Sequence, residues 1–146
     1  MDSNELAQRY KFAVEENLGL IAKIDGDNDV VFKHPDLGTF YFSLDAEKDP
    51  EYFRLVYSHF ADKILTGGDK TKLLQLLNQV NRECKAVKLI MLDDDDGNVV
   101  AATEGILAGP DQGPSQELLS SVVRRYLSVI RTARENLFNA AKVNQG

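Results

Sequence analysis

Two short apolar runs, KLIML and VVAATEGIL, flank Asp93–Asp96 and Gly97, and this arrangement constrains the fold more than any other feature. Asp96–Gly97 is a tight-turn signal, because the favoured hairpin turns need positive φ, which Gly adopts freely and Asp tolerates. The flanking segments therefore read as paired strands, Ala86 to Leu92 and Asn98 to Leu107. A calcium loop is the competing reading of so many carboxylates. It requires oxygen ligands at positions one, three and five, glycine at six and a bidentate glutamate at twelve. With Gly97 sixth, Leu92 would be first and Thr103 twelfth, and both fail. The DGDND stretch supplies Asp25, Asp27 and Asp29, but then Val30 stands where glycine belongs and Asp36 where glutamate belongs. Both acidic segments read as turns, and solvated aspartates at such a tip discourage edge-to-edge pairing.

Elements on either side follow from periodicity. Asp2 with Glu5 forms a capping box, and Leu6, Tyr10, Ala13 and Val14 repeat at helical spacing until Gly19. Leu20 to Ile24, the run from Val30 and the run from Thr39 are rich in β-branched and aromatic residues and read as three strands. Asp49–Pro50 has the form of a helix start, and Phe53, Val56, Tyr57, Phe60 and Ile64 make an apolar stripe for a helix ending at Gly67–Gly68. Asp69 caps a second helix, buried through Leu73, Leu76, Leu77, Val80 and Cys84. GPDQGP is a loop. Ser115 opens a last helix of about 28 residues, roughly 42 Å long, with a stripe of Leu119, Val122, Val123, Tyr126, Ile130, Ala133, Leu137 and Ala141. The expected order is α-β-β-β-α-α-β-β-α within a single domain, residues 1–146.

Several function classes are disfavoured. Seventeen basic against 23 acidic residues give a net charge of −6, which on average repels a phosphate backbone, so no nucleic-acid partner is expected. The single cysteine excludes an internal disulfide and argues for a reducing compartment. No apolar run reaches the roughly 18–20 residues of a membrane span, and MDSNELAQRY lacks the form of a signal peptide. The expectation is a cytoplasmic protein without a membrane partner. His34 and His59 belong to no metal-spaced pair, and neither a phosphate-cradling glycine motif nor a nucleophile elbow is present. No catalytic residue, metal or cofactor is expected, and the chain reads as a non-enzyme.

Two surfaces suggest binding. On the last helix Leu127 and Phe138 fall on the shoulder of the buried stripe, and Arg124 and Arg131 flank that shoulder. An apolar ledge edged with arginine suits a protein partner. The strand from Ala86 is apolar in both directions: Val87, Leu89 and Met91 point one way, Ala86, Ile90 and Leu92 the other, interrupted by Lys88. Such a strand is usually covered on both faces, and a second copy of the chain is an economical lid.

LLQLLNQVNRECKAVKLIMLDDDDGNVVAATEGILAGP, followed by SQELLSSVVRRYLSVIRTARENL, resembles the YbjN-like family, related in fold to type III secretion chaperones. The matching features are the helix ending in LNQVNRE, the strand KLIML, the acidic hairpin, the strand VVAATEGIL and the long closing helix. The residues supply five strands, and the resemblance implies that they form the twisted antiparallel sheet of an α+β fold with helices packed against it, often as a homodimer. In the chaperone branch it implies a client segment held on apolar grooves without nucleotide; in the YbjN-like branch, a sensory or regulatory role. It supplies no catalytic residues. Gly67–Gly68 departs from the pattern by splitting the central helical region, which bears on any transfer of the chaperones' dimer geometry. The leading expectation is a non-catalytic protein- or peptide-binding module, chaperone-like or regulatory and homodimeric. The alternative is a small-molecule or anion sensor, with Arg124 or Arg131 holding a carboxylate or phosphate between the sheet and the last helix.

Overall fold

The computed structural model describes residues 2–107 and 112–145. It begins with α1 (Ser3–Leu18), capped by the Asp2 carboxylate, which accepts the Glu5 N–H at 2.7 Å, and closed by Gly19 at φ 65°. Strands β1 (Ala22–Ile24), β2 (Val30–His34), β3 (Gly38–Phe42) and β4 (Tyr52–Ala61) follow. A short 3-10 helix (Lys63–Thr66), α2 (Lys70–Glu83), β5 (Val87–Met91), β6 (Val99–Ile106) and α3 (Gln116–Gln145) complete the chain. Of the GPDQGP loop, residues 109–111 lie outside the described residues.

The sheet is antiparallel and six-stranded, in the order β1-β2-β3-β4-β6-β5. The five-stranded expectation is corrected by β4, which occupies the segment expected to be a helix. Asp49 and Pro50 form a turn in which the Tyr52 N–H donates to the Asp49 carbonyl at 3.1 Å, and the chain then extends. Phe53 and Tyr57 are four residues apart, a spacing that satisfies a strand as well as a helix. A register shift between Tyr57 and Ala61 returns Phe60 to the core, so an irregular strand imitates helical periodicity. The aromatic content of YFRLVYSHF, and a hydrogen-bonding partner on each side, decide for the strand.

Registered residues run straight across the sheet. Ala22, Phe32, Phe40, Tyr57, Ala101 and Leu89 form one row on the face that carries the core, each buried. Tyr10 of α1 packs on Phe42 and Phe53, with ring centroids 4.9 and 6.0 Å apart, and Tyr126 of α3 stacks on Phe53 at 4.4 Å. Leu73, Leu76, Leu77 and Val80 of α2 join the same core, and Cys84 packs half-buried at its margin with Sγ accepting from Asn136 Nδ2 at 3.1 Å. The adjacent row, Lys23, Val31, Tyr41, Val56, Ala102 and Lys88, lies on the opposite face, which no helix covers among the described residues.

The acidic turn is a hairpin loop, as expected. The Leu92 N–H donates to the Asn98 carbonyl at 2.7 Å, Gly97 sits at φ 61°, and Asp94 accepts from both the backbone and side-chain nitrogens of Asn98. Lys63 and Lys70 reach the carbonyls of Asp95 and Asp94 at 2.8 and 2.6 Å. In the DGDND turn Asp25 accepts the N–H groups of Asp27 and Asp29, so its carboxylate serves the backbone. Among the described residues no cluster of metal-ligating side chains occurs.

Candidate functional site

One end of β2 sets the site. The alternation VVFKH puts Val30, Phe32 and His34 on the core face, and the turn at Pro35 and Asp36 then carries the chain back into β3. His34 is 9% exposed. Its Nδ1 lies 3.1 Å from the Asp36 N–H nitrogen and 3.3 Å from that of Leu37. The Tyr57 hydroxyl donates to the Leu37 carbonyl and ties this turn to β4. Across from it stands α3, from which Arg131 Nη2 comes within 2.8 Å of His34 Nε2. Two turns earlier, Arg124 Nη2 donates to the Asn17 carbonyl at the end of α1 at 2.6 Å, a favourable place for a cation beside a helix C-terminus.

Between these groups lies a cleft of about 340 Å³, near the lower end of ligand-site volumes. Leu18, Leu20, Pro35 and Leu127 give it an apolar wall, and His34, Arg124 and Arg131 give it donors; Asp36 is the acid on its lining. Among the described residues neither arginine pairs with a carboxylate, whereas Arg9 and Arg54 both do. Burial holds the His34 imidazole below its ordinary pKa, Arg131 adds to that, and Asp36 opposes it. The ring is therefore neutral near pH 7. The arrangement can bind an oxyanion through guanidinium donors.

Three of the four helix residues singled out from the sequence, Arg124, Leu127 and Arg131, meet in this cleft. Leu127, however, is 6% exposed and belongs to the core, not to an open ledge. α1 packs against α3 and its end reaches the same cleft, while Val122 and Tyr126 of the expected stripe are only half-buried. Phe138 is roughly 16 Å further along the helix, half-buried beneath the Arg134 guanidinium, which sits 4.3 Å from its ring centre. His34 is the residue that sequence reasoning passed over; its even spacing from Val30 and Phe32 was the signal.

The other four residues lie elsewhere. Lys88 and Ile90 point from β5 onto the uncovered face, Leu92 follows the end of that strand, and Ala86, at φ 61°, precedes its start. Lys88 and Arg54 both pair with Glu104, at 3.2 and 3.1 Å. Val56 and Ala102 beside this trio are only 1% exposed, so the middle of the face is already closed to solvent. Ile90 and Ile106, at 41% and 67%, remain open.

The family model described as "Putative bacterial sensory transduction regulator", YbjN, matches residues 22–139. The chain belongs to the YbjN family. That span contains the β2–β3 turn and both cleft arginines. Among solved structures, Escherichia coli YbjN, described as "a putative transcription regulator", is similar at 16% identity and a TM-score of 0.56, over 99% of this chain and 94% of that one. An uncharacterized protein from Methanothermobacter thermautotrophicus is similar at 14% identity and a TM-score of 0.54, over 99% and 100%. At such identities the likeness shows the shared fold. Comparison with curated proteins gave no match. No helix among the described residues is long and apolar enough to cross a membrane.

Proposed function

We propose that this YbjN-family chain is a non-catalytic regulatory module that senses a small oxyanion-bearing molecule, a carboxylate or a phosphate ester, in the cleft between the β2–β3 turn and α3. The observation that carries this reading is the convergence of Arg124 and Arg131, neither paired with an acid among the described residues, on a partly apolar cleft beside His34. A guanidinium has five donors, and each of these arginines commits few of them to the protein. The sensory description of the family agrees with such a role. A thermal-shift screen of small carboxylates and phosphates tests it, since a ligand that binds the native state raises the melting temperature by mass action. Stabilisation that disappears in Arg131→Ala and weakens in Arg124→Ala is expected. A panel without stabilising compounds, or arginine variants that respond like the parent, would overturn it.

A second reading is a homodimer formed across the uncovered sheet face, with the regulatory or chaperone-like role exercised on a protein partner. Ile90 and Ile106, exposed on that face, support it. The Arg54–Glu104–Lys88 trio limits how much apolar area a second copy would remove from water. Light scattering across a hundredfold range of concentration tests it; a mass that stays monomeric throughout excludes this reading.

A further inference from the structure

His34 faces more donors than it can accept. Two backbone N–H groups point at Nδ1 and a guanidinium nitrogen at Nε2. A neutral imidazole has one acceptor nitrogen and one N–H; an imidazolium has no acceptor at all. With the proton on Nε2 the turn is satisfied, but Arg131 meets a donor. With the proton on Nδ1 Arg131 is satisfied, but the Asp36 and Leu37 N–H groups are not. The charged groups facing the ring are Arg131 and Arg124 from α3 and Asp36 from the turn. The end of α1 offers uncharged Asn17 and Leu18, and β3 the Phe40 ring at 6.5 Å. None of these removes the conflict.

We infer that an oxyanion in the cleft resolves it by drawing the Arg131 guanidinium off His34 Nε2, from its present 2.8 Å, and accepting from both the Nε2–H and the guanidinium, so that ligand binding fixes one tautomer of His34 and tightens the β2–β3 turn. This rests on the anion-sensing reading above and adds how occupancy would be transmitted. The ligand oxygen accepts from both groups, Nδ1 becomes free to accept from Asp36 and Leu37, and the ring stays neutral without taking up a proton. The turn is the responsive part because Tyr57 anchors only its Leu37 carbonyl, while its two N–H groups depend on the histidine.

Inorganic phosphate and acetate are the probes, with the full chain as it stands. Imidazole nitrogen chemical shifts read the His34 tautomer, and amide hydrogen exchange reads the Asp36 and Leu37 N–H groups. Saturation is expected to place the proton on Nε2 and slow exchange at both amides by about tenfold, the equivalent of one net hydrogen bond. Arg131→Ala, at an exposed helix position, should show the Nε2–H tautomer and the slowed exchange without any anion, because the competing donor is gone. If Arg131 merely buttresses the ring, exchange in that variant quickens, and the inference fails. Binding of either anion without a change at His34, Asp36 and Leu37 overturns this inference alone. Absence of binding by both overturns the anion-sensing reading as well.

Discussion

Asn81 bonds Leu89 as a neighbouring strand would: its Nδ2 donates to the Leu89 carbonyl at 3.1 Å and its Oδ1 accepts the Leu89 N–H at 2.9 Å. Leu89 is the middle residue of β5, and β5 is an edge of the sheet. An edge strand offers unpaired backbone groups to other chains, and natural proteins blunt such edges. Here a carboxamide from the last turns of α2 occupies the central pair.

Replacing Asn81 by Ala removes both bonds and exposes the edge. A loss of about 1–2 kcal/mol is expected in denaturant unfolding, given net contributions near 1 kcal/mol for each hydrogen bond. Concentration-dependent association should appear by light scattering. Unchanged stability and an unchanged mass at high concentration would show that the carboxamide does not guard the edge.

The core position of Leu127 makes a separate prediction. As an exposed ledge residue it would tolerate truncation; as a buried one it should not. Leu127→Ala is expected to cost about 2–4 kcal/mol, the usual range for a core leucine, measured by chemical denaturation. A change below about 0.5 kcal/mol, typical of surface positions, would return the residue to the surface.

What the sequence disclosed, and what it withheld, follows the same physics. The acidic hairpin was legible because Asp96–Gly97 carries its own conformational preference, and α1 because Asp2, Glu5 and Gly19 mark its ends. The strand β4 was not, because Phe53, Tyr57 and Phe60 sit at spacings shared by a helix and a bulged strand. Its identity is set by pairing with β3 and β6, a tertiary fact. Arg124 and Arg131 were legible on α3 because they flank the shoulder of its apolar stripe. Their meeting with His34 joins residues 97 apart in sequence, which no local period encodes. The open ledge expected at Leu127 failed for the same reason, since its burial comes from a core assembled by elements distant in sequence.

Gly105 of β6 lies under the Tyr126 hydroxyl: a Cβ built at Gly105 would stand 2.6 Å from that oxygen and 3.6 Å from the ring carbon bearing it. Tyr126 also stacks on Phe53, the residue that pairs with Gly105 across β4 and β6. Gly105→Ala should therefore destabilise the protein by about 1–3 kcal/mol through overpacking. Removing only the hydroxyl leaves an ordinary van der Waals contact, so Gly105→Ala combined with Tyr126→Phe should recover most of the loss. A double-mutant cycle in thermal or denaturant unfolding measures this, and purely additive effects would exclude the contact as the cause.

Stability should fall with acidity in two separate windows. His34 is held below its ordinary value by burial and by Arg131. The unfolded chain therefore binds a proton near pH 6.5 while the folded chain does not, and stability declines as pH drops from that value toward the lower folded one. Asp94 is held below the usual carboxylate range by its hydrogen bonds from Asn98. Glu104, though burial pushes it upward, ends below that range because Tyr52, Lys88 and Arg54 outweigh the burial. Their contributions are complete above about pH 4 and disappear as pH falls through the lower folded values. Asp29, raised by burial, acts in the opposite sense and softens the second decline. Melting temperatures between pH 7.5 and 2.5 should resolve the two steps. His34→Gln is expected to flatten the first while sparing the second, and Asp94→Asn to reduce only the second. A first step that persists unchanged in His34→Gln would mean that another group titrates there and that His34 is not kept neutral by the cleft.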